Sequence, residues 1–247
     1  MNRIKDYDQL AFDIDRWLKD YYYMYAIEAF VVGVSGGIDS AVVSTLCAKT
    51  ELPTYFLTMP LHSKEENTKL SDAHAKALVD KYPNVKVVNI DLTETYDKFM
   101  LNVDNTFTGN ELANANTKSR LRMVSLYQVA GSVGGIVVGT GNKVEDYGIG
   151  FYTKYGDGGV DIAPIADLYK TEVRELGWHL GVMNEIIDAK PTDGLWDDGR
   201  SDEDQIGATY AELEEAMENG TGKAVDILYK FNRQNRHKME PIPTFKL

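Results

Sequence analysis

The sequence predicts an α/β fold, a parallel sheet with helices on both faces followed by a helical C-terminal part. Three observations carry this expectation. Short apolar β-prone runs alternate with longer segments of helical periodicity as far as residue 139. The runs are mostly apolar, as strands buried on both faces are, rather than strictly alternating apolar with polar. The last third then turns mostly helical. Strand–helix alternation of this kind implies parallel pairing, with ligands placed beyond the carboxyl ends of the strands.

The elements follow in order. Residues 10–27 carry Leu10, Ile14, Trp17, Leu18 and Tyr21 at helical spacing. Ala29 to Val34 is a first strand, followed at once by Ser35-Gly36-Gly37, and Ile38 to Ala48 reads as a helix. Leu52 to Thr58 is a second strand, Lys64 to Lys81 an amphipathic helix, and Val85 to Ile90 a third strand. A long helix over 110–130 puts Leu112, Met123, Leu126 and Ala130 on its apolar side, and Gly135 to Gly139 gives a fourth strand. Further helices are expected at Lys170–Leu180, Asn184–Asp188, Glu203–Glu218 and Thr221–Asn232. Between them, Thr192 to Ser201 is a polar, Gly-containing loop, and the 193–206 segment is a candidate lid. Without an internal repeat or low-complexity tract, the simplest organisation is one domain over 1–247.

Composition narrows the function. With 26 Lys+Arg against 38 Asp+Glu the net charge is −12, the wrong sign for a general nucleic-acid binder. An anionic ligand must therefore be caught by a local set of donors. No apolar run approaches the roughly 20 residues of a membrane span, and the first residues lack a secretory-type apolar core, so a cytoplasmic enzyme is expected. The single cysteine, Cys47, excludes an internal disulfide framework and sits at an apolar position of a helix, as a core residue does.

The strongest motif is Gly33-Val34-Ser35-Gly36-Gly37-Ile38-Asp39-Ser40, between a strand and a helix. Glycines let successive N–H groups face one concavity suited to phosphate oxygens, and the helix adds its positive N-terminal end. Ser35 and Ser40 offer hydroxyls. Asp39 beside a phosphate implies an intervening Mg²⁺. The string is not a Walker A sequence, and a bare Ser-Gly-Gly would be read as a tight turn with Asp39 as a helix cap. At the end of the fourth strand, Gly139-Thr140-Gly141-Asn142-Lys143-Val144-Glu145 brings a second carboxylate that could face Asp39 and share the metal. A third segment, Phe151 to Asp161, sets Lys154 among aromatics ahead of Gly156-Asp157-Gly158-Gly159, an arrangement able to grip an anionic aromatic ligand.

Ser35-Gly36-Gly37-Ile38-Asp39-Ser40 resembles the loop of the ATP-pyrophosphatase superfamily, whose members cleave ATP between the α- and β-phosphates and transfer AMP to a substrate oxygen. That resemblance implies a Rossmann-like fold of the adenine nucleotide alpha-hydrolase type and the half-reaction, without choosing the substrate. Thr153-Lys154-Tyr155-Gly156-Asp157-Gly158-Gly159 with Asp161 resembles the deamido-NAD segment of the ammonia-dependent NAD synthetases, and the likeness extends over nearly the whole chain.

Carried over by position, the resemblance implies ATP binding by Gly33, Val34, Ser35, Gly36, Gly37, Ile38, Asp39 and Ser40, with Thr140, Lys170 and Thr192. It implies deamido-NAD binding by Arg120, Lys154, Asp161, His237 and Lys238, and Mg²⁺ held by Asp39 and Glu145. Asp39 and Lys170 are the expected catalytic residues. The implied substrates are ATP, deamido-NAD and ammonia, with no nucleic acid or membrane partner, and the implied assembly is a homodimer. The chain has no room for the amidase domain of glutamine-dependent relatives, so free ammonia is the expected nitrogen source, with a partner glutaminase chain as the alternative. Without the resemblance, Arg120 reads as part of a solvated helix face and His237 and Lys238 as an exposed tail. Two departures stand out: Gly141-Asn142 replaces the Asp-His pair of many bacterial members, and Gly148-Ile149-Gly150 carries one extra residue before the Thr-Lys motif.

Overall fold

The computed structural model describes residues 3–63, 65–191 and 201–246, the side chains of 65–67 apart. The four strands are β1 (Ala29–Gly33), β2 (Thr54–Thr58), β3 (Val85–Asn89) and β4 (Gly135–Val138), all parallel and in the order β3-β2-β1-β4. The chain runs from β1 outward through β2 to β3, then returns to the other side of β1 as β4. The edge between β1 and β4 is thus the topological switch point, where ligands enter open parallel sheets.

Ten α-helices surround the sheet among the described residues: α1 (Tyr7–Met24), α2 (Ile38–Lys49), α3 (Glu65–Lys81), α4 (Thr93–Asn102), α5 (Glu111–Ser132), α6 (Lys170–Leu180), α7 (Asn184–Ile187), α8 (Asp202–Ile206), α9 (Tyr210–Asn219) and α10 (Val225–Met239). The two sheet faces explain the apolar strands. Phe30 and Val32 point into a core with Ile14, Leu18, Val42, Leu46 and Leu176 of α1, α2 and α6. Val31, Leu57 and Val137 point the other way, onto Leu126, Val129 and Ala130 of α5. A separate cluster, with Val144, Ile149, Leu213 and Leu228, joins the C-terminal helices to the segment after β4.

Four features differ from the sequence expectation. α4 was not expected; only Tyr96 of it is buried, so it carries little apolar periodicity. The single helix expected over 203–218 is two, because Gly207 takes φ +83° and Thr209 starts α9 with a capping box to Glu212. α10 continues to Met239, so His237 and Lys238 lie in a helical last turn and not in a tail. Residues Val144–Ile149 form a π-helix, closed by Gly150 at φ +63°. Single π-turns of this kind occur frequently at functional sites.

Candidate active site

One cavity of about 740 Å³ lies beyond the carboxyl ends of β1, β2 and β4. Its wall includes Gly33 through Ser40, Thr140, Glu145 and Lys170, together with Arg120, Lys154, His237 and Lys238. Sequence positions spread over two hundred residues thus meet in one place. Asp161 is not brought to that wall. Its carboxylate accepts from the Val137 backbone N–H at 2.7 Å and from the Tyr127 hydroxyl at 3.1 Å, bracing β4 against α5. Thr192 and residues 193–200 of the expected 193–206 loop lie outside the described residues; the rest of that segment is not loop but helix α8, capped by Ser201.

The phosphate turn is built locally. Gly36 takes φ +84°, a conformation that disfavours a side chain, and Gly37 enters α2 as its N-cap without a side-chain cap. Ser40 Oγ donates to the Gly37 carbonyl at 3.0 Å and accepts from the Ser35 N–H at 3.2 Å, while the two hydroxyls lie 3.0 Å apart. The serines therefore brace the turn, Ser35 Oγ also accepting from the Gly37 N–H at 3.3 Å, and they line the cavity beside the N-terminus of α2.

At the far side of this turn, the Lys170 ammonium, at the first position of α6, is 4 % exposed. It bonds the Asp39 carboxylate and donates to Glu145 Oε1 at 3.0 Å. Burial alone would lower the Lys170 pKa; Asp39 and Glu145 beside it overcome that and leave it raised. Burial pushes the Asp39 carboxyl up, Lys170 opposes this, and Glu145 adds to it. Two neutral groups complete the cluster: Asn142 Nδ2 donates to Asp39 Oδ1 at 3.3 Å, and the Tyr210 hydroxyl donates to Glu145 Oε1 at 2.6 Å. Tyr210 also offers its ring to Lys170, 4.9 Å from the centroid. Neither Asn142 nor Tyr210 was singled out as a site residue in the sequence.

This cluster fits a magnesium ion. Carboxylates from α2 and from the π-helix already converge on one cationic group, the Lys170 ammonium. Among the described residues no group of three or more His, Cys, Asp or Glu forms a cation site. Mg²⁺ typically asks for less, one or two carboxylates plus water and substrate phosphates.

The opposite end of the cavity is cationic. Gly156-Asp157-Gly158-Gly159 is clamped to α5, with Ser119 Oγ donating to Asp157 Oδ1 at 2.7 Å and accepting from the Asp157 N–H at 2.9 Å. A Cβ on Gly156 would lie 2.3 Å from Ser119 Oγ, so glycine is required for this close approach. The loop collects the basic groups around it. Arg120 reaches the Lys154 carbonyl, Lys154 Nζ donates to the His237 carbonyl at 2.9 Å, and Lys238 Nζ donates to the Tyr152 carbonyl at 2.8 Å. Cys47 takes no part: it is fully buried, and burial pushes its thiol pKa up.

Comparison with known proteins agrees with this geometry. The chain matches the NAD synthase family over residues 10–242. It is 36% identical over 245 residues to the NH(3)-dependent NAD(+) synthetase of Finegoldia magna, covering 98% of this chain and 97% of the relative. With the corresponding protein of Methanococcoides burtonii it shares 42% identity over 195 residues, 78% of this chain and 72% of the relative. Among solved structures, NMN synthetase from Francisella tularensis superposes with a TM-score of 0.89 at 33% identity, covering 99% of this chain and 100% of the other.

Proposed function

The chain belongs to the NAD synthase family, and on that premise we propose that its cavity performs the ATP-dependent amidation of deamido-NAD with ammonia. The products are NAD, AMP and pyrophosphate. The observation that carries the reading is the meeting, in one cavity, of a phosphate turn, a paired-carboxylate cluster and a cationic aromatic-lined end.

A carboxylate is a poor acyl donor because its leaving group would be oxide. Attack of the nicotinate oxygen on the α-phosphorus of ATP expels pyrophosphate and gives an acyl-adenylate, whose leaving group is AMP. Ammonia then adds to the carbonyl, AMP departs, and the nitrogen loses a proton to leave the amide. The backbone N–H groups of Gly36 to Asp39 and the start of α2 receive the phosphates. Lys170 supplies positive charge as pyrophosphate separates, and Thr140 and Thr192 complete the ATP contacts. Asp39 and Glu145 would hold Mg²⁺, which when bound screens phosphate charge and orients the triphosphate.

Arg120, Lys154, Asp161, His237 and Lys238 receive the acid substrate. Four of them line the cavity, whereas Asp161 rests on family resemblance alone. No covalent nucleophile is needed, in keeping with the buried Cys47.

We read residues 1–247 as one domain of a cytoplasmic enzyme acting as a homodimer. Exposed Leu112, Val124 and Tyr127 on α5 supply apolar surface for an isologous contact. Among the described residues no helix is long and apolar enough to cross a membrane.

A second acid substrate is favoured by one observation, the close superposition on an NMN synthetase. Production of NMN by the same chemistry would start from nicotinic acid mononucleotide, which shares the nicotinate ribosyl phosphate end of deamido-NAD. One assay decides both points. The protein is incubated with MgATP, ammonium and either acid, and the amide, AMP and pyrophosphate are followed. ADP in place of AMP, or binding without amide formation, rejects the proposal, and the ratio of kcat/KM values assigns the acid.

A further inference from the structure

We propose that Asn142 is a positioning residue that locks the Asp39–Glu145 carboxylate pair into register for the metal. The inference rests on the reading of that pair as the Mg²⁺ ligands.

Asn142 is the only fully buried polar side chain in the loop that leaves β4, with no exposed surface. Its amide has two ends and uses them differently. Oδ1 accepts from the Val144 N–H at 3.1 Å and from the Glu145 N–H at 3.2 Å. This is the bonding of a helix N-cap, with the acceptor two and three residues before the donors. The start of the π-helix, and with it the origin of the Glu145 side chain, is thereby fixed. Nδ2 points the other way and donates to Asp39 Oδ1 at 3.3 Å, across 103 residues of sequence. One planar group therefore sets the distance between a carboxylate on α2 and a carboxylate on the π-helix.

The other groups on the pair act differently. Tyr210 bonds only Glu145 of the pair, and Lys170 bonds both but is itself a charge whose place the metal and phosphates contest. The amide stays neutral and buried whatever cation occupies the site. Groups that orient metal ligands cost about 10–100-fold in metal affinity or activity when removed.

The test separates capping from orientation. In Asn142→Thr the hydroxyl can still cap the π-helix but is too short to reach Asp39; Asn142→Ser does the same in less volume. Binding of Mn²⁺, as a spectroscopic substitute for Mg²⁺, is measured on the full chain with ATP and without acid substrate or ammonia. The Mn²⁺ dissociation constant is expected to rise about tenfold or more. The unfolding midpoint should fall by no more than about 4 °C, the scale of one lost hydrogen bond. In turnover the requirement for Mg²⁺ should rise while kcat at saturating Mg²⁺ changes only a few-fold. Placed in an Asp39→Asn background, Asn142→Thr should add no further loss of Mn²⁺ affinity.

If Asp39→Asn binds Mn²⁺ as the natural chain does, the metal reading itself fails and this inference goes with it. If Asp39→Asn loses Mn²⁺ while both folded Asn142 variants keep it, only the inference is overturned. Loss of the fold in both variants also overturns it, because the amide would then serve the loop and not the metal pair.

Discussion

Replacing Lys170 by methionine tests the charge balance of the site directly. The side chain keeps its approximate volume but loses the ammonium that bonds Asp39 and Glu145. The carboxylates are only 16 % exposed each, so water cannot take over fully. Removing one member of a buried ion pair leaves an uncompensated charge and costs about 3–5 kcal/mol. For a chain of this length that corresponds to a fall of about 6–20 °C in unfolding midpoint. The deficit should depend on pH. Burial raises the Asp39 carboxyl above its ordinary 3.8, and Lys170 holds it down. Without Lys170 it rises further. A carboxyl whose pKa is raised in the folded state contributes stability below its unfolded value and loses it as pH rises through the folded one. The variant should therefore lie nearer the natural protein at pH 5 than at pH 8. Mg²⁺ without ATP should recover part of the loss by replacing the missing charge, and should move the natural protein less, since its ammonium already holds the site. Turnover should fall by about 10²–10³-fold, as for loss of one preorganised charge-stabilising group. Thermal unfolding in chelator-treated buffer, with and without Mg²⁺, is the measurement. Equal midpoints for the two proteins at pH 8 would refute the reasoning.

Three further outcomes are expected. Tyr210→Phe removes a hydroxyl that donates to a buried carboxylate at 2.6 Å, a bond of about 1.5–3 kcal/mol; kcat/KM for MgATP should drop about 10–100-fold, and unchanged kinetics would show that the tyrosine only fills space. Burial lowers the His74 pKa from 6.5 to about 4, with its ring bonded to Ser44 at 2.9 Å. Its contribution to stability is complete above pH 6.5 and is lost as pH falls toward 4, on the order of 3 kcal/mol; His74→Gln should flatten that part of the urea-unfolding profile. Gly156→Ala puts a Cβ 2.3 Å from Ser119 Oγ and 2.9 Å from Thr153 Cβ. It should displace the Lys154 loop and raise KM for the acid substrate more than KM for ATP, a split readable in steady-state kinetics.

How much of this was legible in sequence depends on the range of the interactions involved. The phosphate turn could be read because its determinants are local: Gly36 supplies the positive φ, Ser35 and Ser40 lie five residues apart, and α2 begins at once. Asp39, Glu145 and Lys170 were named from motif positions, but nothing in the strings says that one ammonium joins both carboxylates across 131 and 25 residues. Tyr210 was hidden for the same reason. Its neighbours Thr209 and Glu212 announce a helix start and nothing more, and only the packing of α9 on the π-helix brings its hydroxyl to Glu145. The Ser35 and Ser40 hydroxyls, which line the cavity, also bond each other and the turn itself, a local arrangement that their five-residue spacing allows.

Two features of the segment after β4 fit together in the structure. Residues Val144–Ile149 form a π-helix, and the Asp146 side chain on it turns toward Gly141. Its carboxylate oxygens lie 2.3 Å from where a Cβ on residue 141 would be. An aspartate at 141 would therefore meet a second carboxylate in the same space, so glycine at 141 and the inward Asp146 belong together. The neighbouring position must cap a helix that now starts with π geometry and must still reach Asp39. An asparagine amide does both, offering an acceptor at one end and a donor at the other. Glu145 is thereby held opposite Asp39, with the Lys170 ammonium bonded to both carboxylates beside the phosphate turn.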